Sequence, residues 1–560
     1  MSHRFEFKHG MTLLFVLLFS APRLAAAPGD VLETFDSPCK YPTGMATDGK
    51  TLFIADWRVA KIYHVAITDG KLLNTWDAPT LKPHGLAYGG GLLYVSDDLT
   101  GRIYAFNPAT GVVNHTFEAP GKNPTGLAYA KDALYILESQ SKQIYKVVPR
   151  DGTILGYTPV PDGNCACLAF DGKYLWTSNR VKDEYYMFDP ETGMVVNILA
   201  SPGQYPAGLV RTGHTLWNVD FQTRKIYQIK LNDDDQPYRR FNPREERAEY
   251  SWTLMNYGPG RVRDVTSAVA IPHDLPNQEL LSEVRYLNPP SEIAEDQWKQ
   301  SCALFRFDEI NAGQKREVSM SVDVRLYAVR YFIDPDRCGV LDDIPDDVRR
   351  DYTVDGERYR INSPYIQETV RKIVGKEENP YWIARKIFNF LIDKVEYEMV
   401  GGWDIPEVVI KRGKGSCSEY TFAFIAMCRA AGLPARYQGS VVVRGDDASV
   451  DDAFHRWAEI YLPNYGWAPI DVSKGDSKST VNQCRAIGEL DNRFLITTHS
   501  GGGSKYLDWY YNGFATYRTE GYCNTSEENY AFWEPLHSGE TESGQKDTAD
   551  SLGQCKMPGT

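Results

Sequence analysis

The sequence is short of what several classes of protein require. Beyond its first 21 residues, none of its 560 positions opens a run of 18 apolar residues, which excludes a multi-span membrane protein. Ten cysteines are too few to build a disulfide scaffold at this length. Cations are outnumbered, with 61 Lys and Arg against 74 Asp and Glu and a net charge of −13. That balance argues against nucleic acid as the main partner, because phosphate binding needs clustered cations. Paired ligand spacings such as C-x-x-C and H-E-x-x-H are missing, so neither a metal nor another cofactor is expected. What remains is ordinary globular material, 42% apolar and 24% charged. At about 150 residues per domain the length suits three or four domains.

The N-terminus reads as an export signal. Arg4 and Lys8 precede the mostly apolar run Met11 to Ala21, then Pro22-Arg23 and the small residues Leu24-Ala25-Ala26-Ala27. The run is about half the ~20 residues that a spanning helix needs. Cleavage is expected after Ala26, because Pro28 would hinder a cut after Ala27; an uncleaved anchor is the alternative. Residues 1–26 are therefore a signal peptide, and the mature chain is expected in the periplasm or outside the cell, with no membrane span.

A repeat fills the first third. Pro42-Thr43-Gly44-Met45-Ala46 returns as Pro83-His84-Gly85-Leu86-Ala87, Pro124-Thr125-Gly126-Leu127-Ala128, Cys165-Ala166-Cys167-Leu168-Ala169 and Pro206-Ala207-Gly208-Leu209-Val210. The anchors 44, 85, 126, 167 and 208 are 41 residues apart, the size of one four-stranded propeller blade. Leu52, Leu93, Leu134, Leu175 and Leu216 keep the same step, as do Ile62, Ile103, Ile144, Tyr185 and Ile226. Val31 to Asp36 matches Leu72 to Asp77 without the rest of a blade before it, so it should pair with Ile226 to Lys230 and close the ring. The expectation is a five-bladed β-propeller over 30–232. The pattern resembles the NHL and related propeller repeats. A polar ring, Asp56, Asp97, Glu138, Asn179 and Asp220, keeps the step too. It reads either as a ligand site or, preferably, as five turn caps.

Residues 232–247 read as a charged linker. The apolar/polar alternation of 248–335, as in Val318-Ser319-Met320-Ser321-Val322-Asp323-Val324, suits a β-sandwich acting as a spacer. Helix signals follow, with Ser363-Pro364 opening one helix that ends at Gly375 and Asn379-Pro380 opening another. From about 537 to 560 the composition suits a disordered tail.

The chemistry concentrates around Gly415-Ser416-Cys417-Ser418-Glu419. Ser416 and Glu419 form a capping box, which puts Cys417 at the first turn of a helix, where unpaired N–H groups and the helix dipole favour a thiolate. Such a nucleophile needs a base and an orienting group. His455 lies on an alternating strand, Pro463-Asn464-Tyr465-Gly466 is a turn, and the return strand ends at Asp471. A hairpin of this shape brings His455 and Asp471 to one face.

Four motifs in order, Gly415-x-Cys417-x-Glu419, Arg429 to Arg436, His455-x-Trp457 and Gly466-Trp467-x-x-x-Asp471, resemble the transglutaminase-like superfamily, which shares a papain-like α+β fold. The likeness covers about 340–520, within a domain expected over 340–536, and implies Cys417 as nucleophile, His455 as base then acid, and Asp471 as orienter. The Cys417 N–H is the expected first oxyanion donor; Trp403, Gln438 and Tyr397 compete for the second. The expected activity is acyl transfer from a protein or peptide amide through a Cys thioester. Hydrolysis by a protease or deamidase is slightly favoured over amine crosslinking, with the propeller recruiting a protein or cell-wall ligand. The alternative is an inactive envelope scaffold. Cys302 with Cys338 and Cys484 with Cys523 are plausible disulfides, Cys428 a core thiol.

Overall fold

The computed structural model describes residues 27–232, 236–399 and 403–536. Residues 1–26, expected to be a signal peptide, and 537–560, expected to be a disordered tail, lie outside the described residues.

Residues 31–230 form five four-stranded antiparallel sheets arranged as a propeller-like ring. Four sheets follow chain order, running from Pro42–Thr47 to Leu72–Asp77, Pro83–Gly89 to Val112–Glu118, Pro124–Ala130 to Ile154–Pro159, and Ala169–Phe170 to Val195–Ala200. The fifth joins Pro206–Thr212, Thr215–Asp220 and Lys225–Lys230 to Val31–Asp36 from the start of the chain, with Phe35 opposite Ile226. Pairing the two ends leaves no sheet unfinished.

The anchor glycines set how closely the sheets gather. A Cβ on Gly44 would meet the His84 carbonyl oxygen at 2.2 Å, and one on Gly85 the Leu127 nitrogen at 2.9 Å. One on Gly126 would lie 2.9 Å from the Cys167 carbonyl carbon, and one on Gly208 2.7 Å from the Met45 nitrogen, which returns to the first sheet. Backbone therefore touches backbone around the axis, which only glycine permits. In the fourth sheet Cys167 stands at the anchor, and the inner strand shortens to Ala169–Phe170.

The polar ring consists of turn caps. Asp56 Oδ1 accepts from the Arg58 N–H at 3.0 Å, Asp97 Oδ1 from Leu99 at 2.9 Å and Glu138 Oε2 from Ser141 at 2.5 Å. Asn179 Oδ1 accepts from Val181 at 2.9 Å, and Asp220 Oδ1 from Thr223 at 2.7 Å.

The second unit rests on three long strands: β1 (Tyr238–Ala270), β2 (Ser301–Ile310) and β3 (Gln314–Tyr331). The first half of β1 pairs with β3, the second half with β2. Trp252 and Leu254 from the first half share one core with Val262 and Val265 from the second. β1 begins inside the stretch expected to be a linker. Its charges alternate outward and pair across the ladder, as in Arg247 with Asp323 at 2.7 Å and Arg325 with Glu245 at 2.6 Å.

The catalytic unit follows with helices α1 (Pro364–Val374), α2 (Pro380–Lys394) and α3 (Cys417–Ala430), and with strands β4 (Ala435–Val442), β5 (His455–Leu462) and β6 (Gly466–Ile470). Ser363 and Asn379 stand at the N-cap positions of α1 and α2; Asn379 Oδ1 accepts from the Trp382 N–H at 3.2 Å, whereas the Ser363 hydroxyl donates to Glu407 Oε2 at 2.7 Å. A short helix α4 (Thr480–Arg485) and strand β7 (Phe494–Ser500) complete it. The sheet order is β6-β5-β4-β7, all antiparallel, with α3 against one face.

The final strand, β8 (Gly513–Pro535), leaves this unit and pairs along both halves of β1. The boundaries 248–335 and 340–536 therefore need correction, because the β layer takes its last strand from the far end of the described chain. Alternation alone carries no partner information, so the sequence could not assign β8.

The ring joins the catalytic unit through its fourth sheet. The outer strand there, Val195–Ala200, is buried along most of its length, whereas Leu72–Asp77 and Val112–Glu118 are largely exposed. Val196 and Leu199 share a core with Ile383 and Ile387 of α2. Asn197 Nδ2 donates to the Ile333 carbonyl at 2.9 Å, and Glu184 pairs with Arg485 of α4.

Gly126→Ala is expected to destabilise the protein by about 1–3 kcal/mol, because the added methyl meets backbone that cannot step aside. Gly156→Ala, with nothing within 4 Å of its Cβ, should lie within about 0.5 kcal/mol of the parent. Urea denaturation of both variants checks this.

Candidate active site

The first turn of α3 fixes the thiol. The Ser416 N–H donates to Glu419 Oε2 at 3.0 Å, and Glu419 is itself held by Arg412 at 2.8 Å. From Ser418 to Arg429 the helix is buried on every side, so its end has little room to shift. Thr421 Oγ1 donates to the Cys417 carbonyl at 2.8 Å and to the Arg456 carbonyl at 3.2 Å, tying helix to strand.

His455 opens β5, and Asp471 follows the last residue of β6. The hairpin register sets Ala458 opposite Ile470. His455 Nε2 lies 2.7 Å from Asp471 Oδ2. Asp471 Oδ1 accepts from Ser473 Oγ at 2.7 Å and from the Lys474 N–H at 3.0 Å, while the Asp471 N–H donates to the Ala486 carbonyl at 2.9 Å. With Nε2 committed to the carboxylate, Nδ1 is left for the Cys417 sulfur, which is close enough to influence the imidazole. Phe494 stacks on the ring at 5.6 Å.

The charges support one another. Burial alone would push the Cys417 thiol up, but the His455 hydrogen bond and charge, then Arg456, hold it below its ordinary value. Burial would lower His455, yet the Asp471 carboxylate and the Cys417 sulfur raise it to about 10. Asp471 is held at about 2, because the charge and hydrogen bond of His455 outweigh its burial. The arrangement favours a thiolate beside an imidazolium, the attacking form of a cysteine acyl-transfer centre.

Arg456, which the sequence reading passed over, is the second cation. It is fully buried, with its guanidinium carbon 4.3 Å from the Tyr511 ring, 4.5 Å from Tyr437 and 4.7 Å from both Trp403 and Phe422. Nη2 donates to the Trp509 carbonyl at 2.7 Å, and no carboxylate lies within 4 Å among the described residues. Its signal was an arginine on the strand face that otherwise carries Ala458 and Ile460, both buried.

The expected second oxyanion donors fare differently. Trp403 lies beside the site as one wall of the Arg456 box. Tyr397 is also close, since the charges of Cys417 and Asp471 add to burial in raising its phenol. Gln438 is corrected: its Nε2 donates to Glu459 Oε1 at 2.8 Å and lies 2.8 Å from His499 Nε2. It alternates with Tyr437, which packs on Phe422 of α3, so its amide points to the far side of the sheet. The two expected disulfides are absent. Cys302, Cys338, Cys484 and Cys523 are free thiols lying in separate clusters.

Residues 367–472 match the family model of the transglutaminase-like superfamily. The chain thus carries a transglutaminase-like domain with a cysteine-type centre. An uncharacterized protein of Haemophilus influenzae is 32% identical over 180 residues, an alignment taking in 27% of this chain and 47% of that protein. The chain therefore spans about half the length of that relative. Among solved structures, a candidate cysteine protease from Cytophaga hutchinsonii is 16% identical at a TM-score of 0.38, covering 55% of this chain and 96% of that one. Glutaminyl cyclase of Myxococcus xanthus is 12% identical at 0.34, over 37% and 99%. Virginiamycin B lyase of Staphylococcus aureus is 18% identical at 0.26, over 35% and 69%.

Alkylation by iodoacetamide at pH 6–7 should modify Cys417 ahead of Cys428, whose burial raises its thiol well above the ordinary value. The Cys417 rate should rise with pH along a limb below the ~8.5 of a free thiol. His455→Asn is expected to move that limb upward, and Arg456→Gln to move it up by about one unit while leaving the His455–Asp471 pair intact. Rate-against-pH curves read by mass spectrometry check both.

Proposed function

We propose that this chain is an exported cysteine enzyme that acts on protein or peptide amide bonds through a thioester, working in the periplasm or outside the cell. The observation that carries the reading is the Cys417–His455–Asp471 geometry at the capped end of a buried helix. The Cys417 thiolate attacks the amide carbon, and the Cys417 N–H supports the resulting oxyanion. His455 Nδ1–H gives its proton to the departing amine, while Asp471 steadies the imidazolium through Nε2. The thioester then passes its acyl group to water or to a second amine, with His455 taking the incoming proton. Hydrolysis is favoured slightly, because Cys417 is only partly buried and Tyr397 beside it is 46% exposed, so water reaches the thioester.

The ring of sheets is read as a five-bladed β-propeller that recruits the substrate protein or a wall-derived partner. Its support is the closed pairing of Val31–Asp36 with Lys225–Lys230 and the glycine contacts that return from Gly208 to Met45.

Incubation with a glutamine-containing protein, with and without a labelled primary amine, tests the reaction. Mass spectrometry should show cleavage or a one-dalton deamidation exceeding amine incorporation. Cys417→Ala should abolish all three, and Asp471→Asn should lower the rate by a factor on the order of 10² or more. Turnover that survives Cys417→Ala would end the proposal.

A further inference from the structure

We infer that one end of the ring axis is a binding site for an acidic peptide that carries an aromatic or apolar side chain. The inference deepens the reading of the ring as a recruiting module and rests on it.

A cavity of about 280 Å³ opens at this end of the axis. Its walls come almost wholly from three positions of the 41-residue repeat. The first position is Tyr41, Lys82, Asn123, Asn164 and Tyr205 in successive sheets. The second is Thr43, His84, Thr125, Ala166 and Ala207; the third is Trp57, Asp98, Ser139, Arg180 and Phe221. The backbone at these places repeats in four of the five sheets, the fourth sheet being the exception. Trp57 N–H donates to the Tyr41 carbonyl at 3.3 Å, Asp98 to Lys82 at 3.2 Å, Ser139 to Asn123 at 3.1 Å and Phe221 to Tyr205 at 2.9 Å.

The contrast with the rest of the repeat is informative. Positions that build the sheets stay alike, as in the leucines at 52, 93, 134, 175 and 216. The opposite stretch of the axis is narrower, a cavity of about 70 Å³ faced by Met45, Leu86, Leu127, Leu168 and Leu209 and edged by Thr47, Tyr88, Tyr129, Phe170 and Arg211. At the wide end the third position holds a different side chain in all five sheets, Trp57, Asp98, Ser139, Arg180 and Phe221. A packing role would ask the same residue of each equivalent place, whereas an asymmetric ligand would not.

The side chains divide by chemistry. Trp57, Phe221 and Tyr205 line the cavity, and Tyr41 links Trp57 to Phe221, with neighbouring ring centroids 6.3, 6.4 and 5.3 Å apart. Arg58 stacks 4.9 Å over Tyr41, and Arg180 stacks 5.2 Å over Tyr205. Neither guanidinium has a carboxylate within 4 Å among the described residues; each instead donates to its tyrosine hydroxyl, at 3.1 and 3.0 Å. Lys82 is paired with Asp98 at 2.7 Å. His84 Nδ1 lies 2.8 Å from the Thr125 carbonyl, so it is the protonated nitrogen, and Nε2 is left as an acceptor for a donor such as a peptide N–H.

Arg180 on the cavity wall, beside Trp57, Tyr205 and Phe221, suits a carboxylate next to an apolar side chain, and Arg58 stacked on Tyr41 lies near that wall. The volume holds one or two side chains, and two guanidiniums do not make the long cationic track that a phosphate backbone needs. An acidic peptide fits best.

The test uses the full chain carrying Cys417→Ala, so that binding is read without turnover and stands apart from whether the thiol is catalytic. The probe is a dye-labelled pentapeptide with glutamates on both sides of one phenylalanine, followed by fluorescence anisotropy at low salt. The expected result is saturable binding that weakens at least tenfold when glutamines replace the glutamates, and at least tenfold in Arg180→Gln and in Trp57→Leu. Lys61→Gln, on the outer rim, should bind as the parent does, and thermal melts confirm folding of each variant. Equal affinity for the glutamine peptide, indifference to both mouth variants, or tighter binding of a single-stranded oligonucleotide or a chitin oligosaccharide would each overturn the inference.

Discussion

Burial of α3 is the constraint on which the catalytic unit depends. A helix with solvent on one face can slide or tilt, but this one is enclosed from Ser418 to Arg429. Interiors are packed closely enough that such a helix has one position. The thiol at its end is therefore placed by packing from behind and by the Ser416–Glu419 cap in front. The Thr421 hydroxyl passes that placement to β5, and the hairpin register passes it to Asp471.

Arg456 shows how the same burial shapes the electrostatics. A guanidinium without a carboxylate is costly in a protein interior. Four aromatic faces and one carbonyl offset part of that cost here, and the Cys417 thiolate supplies the nearby negative charge. The thiolate is thus favoured by two cations, an imidazolium and a guanidinium, carried on consecutive residues of one strand.

Local patterns were legible in the sequence, and long-range partnerships were not. The capping box, the helix starts at Ser363 and Asn379, and the hairpin that joins His455 to Asp471 each depend on residues a few positions apart. The ring was legible because repetition supplied five copies of one pattern. β8 was not, because its alternation says that one face is buried without saying against which strand. The same blindness led to the disulfide expectations, where Cys302 and Cys338 were matched on position in the chain and proved to lie in different cores. Gln438 failed for a related reason, since its face of β4 is set by Tyr437 packing on α3.

The buried outer strand of the fourth sheet has a mechanical consequence. Val196 and Leu199 are in one core with Ile383 and Ile387, so the ring and the catalytic unit meet without a hinge between them. The span from the ring axis to the Cys417 sulfur is then set by packing rather than by a tether. A flexible tether would let a captured chain search many spacings, with an effective concentration spread over all of them. On the proposed reading of the ring as a recruiting module, a packed junction works as a gauge, presenting to the thiol those bonds that lie a set span away from the captured segment.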